Sequence, residues 1–86
     1  MKVVMCGNYF YPNEETARKK LLDKLNEVRN QYLGDNKFFS NVGEIQEKIT
    51  HNGDKTQHIF YFWSDCSFLS SKRRKRSYSY TVKEIG

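Results

Sequence analysis

Five consecutive cations, Lys72, Arg73, Arg74, Lys75 and Arg76, run almost directly into Tyr78 and Tyr80. Guanidinium groups hold phosphates in bidentate fashion, and a tyrosine offers a π face on which an unpaired base can stack. Side chains alternate between faces in an extended backbone, so Arg74 and Arg76 share a face with Tyr78 and Tyr80, while Arg73 and Lys75 point the other way. Interleaved cations and rings with no recognition helix favour RNA, or another single strand, over duplex DNA. Each stacked base is worth about 1–3 kcal/mol, and counterion release makes such binding steeply salt-dependent. The plainer reading of the same residues is a solvated basic loop followed by two core tyrosines. In a nucleus-bearing cell the run would also serve as an import signal.

Other residues carry weaker signals. Arg18, Lys19, Lys20, Lys24 and Arg29 gather on one stretch with Asp23 and Glu27 among them. Mixed charge of this kind is an ordinary solvated helix face, with local pairs such as Lys20 with Asp23. Arg18, Lys19, Lys20 and Arg29 would extend a basic footprint if they lay beside the final strand. His51 and His58 could supply the acid and base of a small ribonuclease, with Lys55 and the basic run steadying the phosphate. No nucleophile, base and orienting group stand together, however, and neither Glu44 with Glu47 nor Asp54 with Asp65 has the spacing of a carboxylate pair. Cys6 and Cys66 lie 60 residues apart and read as free thiols. With the two histidines they lack any C-x-x-C or H-x-x-x-H spacing, so no metal and no cofactor is expected. Tyr9, Phe10, Tyr11, Phe38, Phe39, Phe60, Phe62 and Trp63 read mainly as core, with Tyr9, Tyr11 and Phe68 in loop-like segments.

Composition narrows the class. The chain has 86 residues, 15 Lys+Arg against 10 Asp+Glu, and 15% aromatics. Removing the five clustered cations leaves 10 against 10, so the whole excess of +5 sits in one segment. That length suits a single small basic domain over residues 1–86 and excludes a multidomain enzyme. The aromatic content excludes a disordered linker, and no apolar run nears the roughly 18 residues that span a bilayer. The first residues, Met1 to Cys6, are stopped by Gly7-Asn8 before they could form a signal-peptide core, which points to a cytoplasmic protein with no membrane partner.

The elements that must position these groups follow from periodicity. Lys2 to Cys6 reads as a short buried strand. Asn13 is an N-cap, Glu14 and Glu15 favour the positive end of a helix, and Gly34 is placed to close it as a left-handed C′ residue. Between them Ala17, Leu21, Leu25, Val28 and Tyr32 form an apolar stripe, widened by Leu22 and Leu33. Val42, Ile45 and Ile49 fit a helix with an Asn41–Glu44 capping box, but Ile45, Glu47 and Ile49 also share a strand face. Asn52-Gly53 decides for a hairpin. Ile59-Phe60-Tyr61-Phe62-Trp63 is apolar on both faces, as in a central strand. Residues 64–71 read as a loop, and Tyr78, Tyr80 and Val82 alternate with polar residues in a half-buried last strand. The order is β-α-β-β-β, predicting an α+β two-layer sandwich with one long amphipathic helix on an antiparallel sheet.

Three resemblances extend this reading. Arg76-Ser77-Tyr78-Ser79-Tyr80-Thr81-Val82 resembles the basic-x-aromatic-x-aromatic core of the RNA-recognition-motif family, without that family's glycine or second helix. Length, basicity and element order are similar to the RelE-type messenger-cleaving toxins, and Ala17-Arg18-Lys19-Lys20-Leu21-Leu22-Asp23-Lys24-Leu25 resembles their first helix. Their basic catalytic strands and C-terminal aromatic signature do not map, so no catalytic residue carries over. The whole chain resembles the small accessory proteins of T-even-type phages, short and basic with many Tyr, Phe, Asn and Lys. That likeness implies a phage-encoded inhibitor of a host RNA-associated defence factor such as a toxin–antitoxin ribonuclease, acting in the host cytoplasm. The resulting expectation is a non-enzymatic RNA-binding protein using Lys72 to Arg76 with Tyr78 and Tyr80. A RelE-like endoribonuclease, or a module docking the basic run on an acidic partner, are the alternatives.

Overall fold

In the computed structural model, which describes residues 2–35, 37–66 and 72–85, one helix, α1, spans Glu14–Gly34. Asn13 starts it: its extended backbone leaves the side-chain oxygen free to accept from Thr16 N–H at 2.8 Å. The end differs from expectation. Gly34 stays helical instead of turning left-handed, and Asp35 closes the last turn through its N–H to Tyr32 O at 3.2 Å. Ala17, Leu21 and Leu25 are buried against the sheet, with Leu22, Val28 and Tyr32 packed beside them.

Six strands make one antiparallel sheet: β1 (Lys2–Cys6), β2 (Tyr9–Tyr11), β3 (Phe39–Ser40), β4 (Gln46–Asn52), β5 (Lys55–Cys66) and β6 (Lys72–Glu84). The order is β2-β1-β6-β5, after which β4 and β3 share the far side of β5. β4 pairs with β5 from Asn52↔Lys55 to Gln46↔Tyr61, and β3 with its last two residues, Cys66 and Asp65. The α+β two-layer architecture is therefore as predicted, with two more strands than the periodicity showed. Tyr9–Tyr11 is the first of these: Gly7, at φ 61, turns the chain so that Tyr9 faces Cys6. The ambiguous stretch is indeed a hairpin, whose turn Gly53 makes at φ 63. No helix forms at Asn41, which itself takes a positive φ of 50.

The loop expected over 64–71 does not begin at Ser64. Ser64, Asp65 and Cys66 continue β5, while residues 67–71, Phe68 among them, lie outside the described residues. The last strand is correspondingly longer, beginning at Lys72 rather than near Tyr78. β5 and β6 pair over twelve positions, from Lys55↔Lys83 to Cys66↔Lys72. The body is elongated, 50 × 22 × 20 Å. Its core is one-sided: Val4, Phe60, Phe62, Tyr80 and Val82 meet α1 on one face of the sheet. Among the described residues no element covers the other face.

Candidate nucleic-acid interface

The basic run is neither a free loop nor neutralised by its own protein. All five cations, Lys72 to Arg76, are exposed residues of β6, and none forms an ion pair among the described residues. Their alternation is as the sequence implied, and the ladder says which face is which. Arg74 and Arg76 lie opposite Ser64 and Phe62, on the face that carries α1. Arg73 and Lys75 lie opposite Asp65 and Trp63, on the bare face.

This arrangement corrects one site residue. Tyr80 is only 2% exposed and packs in the core against Phe60, with its ring stacked on His58 at 4.7 Å. Burial pushes its phenol pKa up, although the nearby Arg18 guanidinium works the other way. No base can reach its ring. Tyr78 is half-buried on the same face, takes a hydrogen bond from Arg76 Nη2 to its hydroxyl at 3.3 Å, and has Lys24 6.0 Å from its ring. The reason is topological: residues sharing a face with Tyr80 share it with the helix that must bury its own apolar stripe there.

The bare face carries two further rings. Tyr61 and Trp63 stand on it half-buried, each with a cation of the run against it. Arg73 Cζ lies 4.8 Å from the Trp63 ring centroid, Lys75 Nζ 4.6 Å from that of Tyr61 and 6.0 Å from that of Trp63. Such contacts contribute about 0.5–1 kcal/mol each when exposed, enough to pre-position a cation and weak enough to exchange. The pairing puts Lys48, Lys55 and Lys83 on this face as well. Against these cations the strands place one carboxylate, Asp65, which is engaged by Asn41 Nδ2 at 3.0 Å rather than by Arg73. Sequence reading missed Tyr61 and Trp63 by counting both as core. The signal was present in their period-two spacing, odd-numbered like Arg73 and Lys75, but only the register joins the two sets.

The second basic face is mostly committed elsewhere. Arg18 makes a bidentate pair with Glu47, at 3.0 and 2.9 Å, and lies over the Phe60 ring at 4.9 Å. Arg29 donates from Nε to Gly43 O at 2.6 Å and reaches Glu44 at 3.4 Å. Their partners are thus carboxylates of the segment after β3 and of β4, not the neighbouring Asp23. Lys19 and Lys20 remain exposed, on the helix side of the sheet and away from Trp63.

The histidines do not assemble with the basic run. His58 Nδ1 is 3.1 Å from Glu47 Oε1, under the helix-covered face, whereas Lys55 is on the bare one. His51 Nδ1 lies 3.2 Å from Thr56 Oγ1. Glu47, held mainly by the Arg18 hydrogen bonds and further by His58, keeps its carboxyl below the usual range despite some desolvation. Arg18, Glu47, His58 and Tyr80 therefore form a structural clamp that fastens α1 to β4, β5 and β6. Among the described residues no three His, Cys, Asp or Glu side chains gather as metal ligands, and no helix is long and apolar enough to cross a membrane.

No protein-family model, no curated protein and no solved structure matches the chain.

Proposed function

We propose that the protein binds single-stranded RNA, without cleaving it, on the helix-free face of β5 and β6. The observation that carries this reading is the pairing of Trp63 and Tyr61 with Arg73 and Lys75 on an uncovered sheet. On binding, bases stack on the two rings while the displaced cations move a short way onto adjacent phosphates. Lys48, Lys55 and Lys83 continue the positive field along the same face. An uncovered sheet face of this kind suits splayed bases better than a duplex, whose bases are already stacked. The likeness to phage accessory proteins supplies the setting: the RNA would belong to a host defence ribonucleoprotein, which the protein occupies.

Trp63 is the single tryptophan of the chain, so intrinsic fluorescence reports on the site itself. Titration with mixed-sequence single-stranded RNA is expected to quench it, with an affinity that falls steeply as salt rises. Salt-insensitive binding, or binding unchanged when Arg73 and Lys75 become Gln, would reject the proposal. Cleavage of the RNA by the purified protein, lost in His58→Ala, would favour the endoribonuclease alternative.

A further inference from the structure

β1 pairs with β6 only opposite residues 81–84, so from Tyr80 back to Lys72 the outer margin of β6 has no neighbouring strand among the described residues. Which backbone groups point that way follows from the ladder. Glu84 N–H donates to Asp54 O at 3.1 Å, toward the β5 side. Pairing with β5 then continues in unbroken register to Cys66↔Lys72. Backbone groups alternate sides along an antiparallel strand, so those of Ser79, Ser77, Lys75 and Arg73 face outward at the free margin. Such a row is a template for another extended chain.

A cavity of about 1050 Å³ adjoins this margin, where β1 turns away from β6, with Cys6, Tyr9, Tyr11, Leu21, Lys24 and Tyr78 among its walls. Two aromatic side chains beside it are strongly exposed, Tyr9 at 77% and Phe10 at 70%. Lys72, Arg74 and Arg76 flank the same margin on the helix side and are paired with no carboxylate of the described residues.

We propose that the free margin of β6 binds an extended acidic segment of a partner protein by strand addition. The segment's main chain completes the outward N–H and C=O groups. Its carboxylates on one face meet Lys72, Arg74 and Arg76, and one large apolar side chain enters the cavity beside Tyr78. A second copy of this chain is a poor occupant, because two such margins would bring like charges directly opposite each other. This surface is distinct from the bare face, and its occupancy does not depend on RNA binding there.

The test uses a fluorescein-labelled synthetic peptide with glutamates at alternate positions, valines between them and a terminal phenylalanine, followed by anisotropy. Ser77→Pro removes one outward N–H and no bond to β5, a placement that edge strands tolerate. The unaltered protein should bind the peptide saturably. Ser77→Pro should weaken it at least tenfold, and by far more than it weakens RNA quenching of Trp63, since Ser77 lies beside Tyr61 on the bare face. Of two peptides N-methylated on odd or on even positions, one should retain binding and the other lose it, a contrast that stays decisive even if Ser77→Pro does not fold. Absence of saturable binding overturns the proposal. So does equal binding of both methylated peptides, or a Ser77→Pro variant that loses RNA affinity instead of peptide affinity.

Discussion

Phe62 and Trp63 are neighbours on β5, yet they occupy opposite worlds. Phe62 is 0% exposed beneath α1, edge-on to Tyr32 at 5.4 Å, and belongs to the core. Trp63 stands half-buried on the other face with Arg73 and Lys75 against its ring. The same contrast separates Phe60 from Tyr61 and Tyr80 from Lys75. An apolar run that reads as buried on both sides is thus divided between a sealed face and an open one. What divides it is the supply of covering elements: one helix can cover one face.

The largest effect that tests this contrast is on folding. Phe62→Ala should destabilise the protein by about 3–5 kcal/mol in chemical denaturation, because a sealed site cannot collapse around the missing ring. Trp63→Ala should cost far less stability but weaken single-stranded RNA binding by about 1–3 kcal/mol, roughly one order of magnitude or two. If the two variants lost stability equally, the bare face would be core after all. Next, Arg73→Gln with Lys75→Gln should lower the slope of log affinity against log salt by about 1.4, since each phosphate contact on a single strand contributes roughly 0.7. Arg74→Gln with Arg76→Gln should change that slope less.

The smallest effect concerns the clamp that holds the covered face. Glu47 and Arg18 are partly exposed, so Glu47→Gln should cost only about 0.5–1 kcal/mol at neutral pH. Arg18 holds the Glu47 carboxyl below its ordinary value, so its contribution is full above the usual carboxylate range and is lost as pH falls through the depressed value. The deficit of the variant should therefore disappear in acid, and a deficit that grew on acidification would contradict the assigned pairing.

Much of the fold was legible locally. Asn13, the stripe from Ala17 to Tyr32, and the Asn52-Gly53 turn each act over a few residues, and each formed an element in the expected place. What was hidden depended on distant partners. Tyr9–Tyr11 and Phe39–Ser40 are strands only because β1 and the end of β5 offer them edges, and three or two residues carry no periodicity of their own. The site divides in the same way. Alternation separates Arg73 and Lys75 from Arg74 and Arg76 correctly, but nothing within the run tells which side the helix will take. Tyr80 falls on the covered side of that choice, and Trp63 gains a cationic neighbour twelve positions away, Lys75, through the β5–β6 register.

The elongation of the molecule has a practical corollary. Its radius of gyration is 15.2 Å, whereas a compact chain of this length would have about 12 Å. A monomer will consequently diffuse slowly and elute early from a sizing column calibrated with spheres. Its apparent mass there would imitate that of a dimer, so copy number should be taken from light scattering or sedimentation equilibrium.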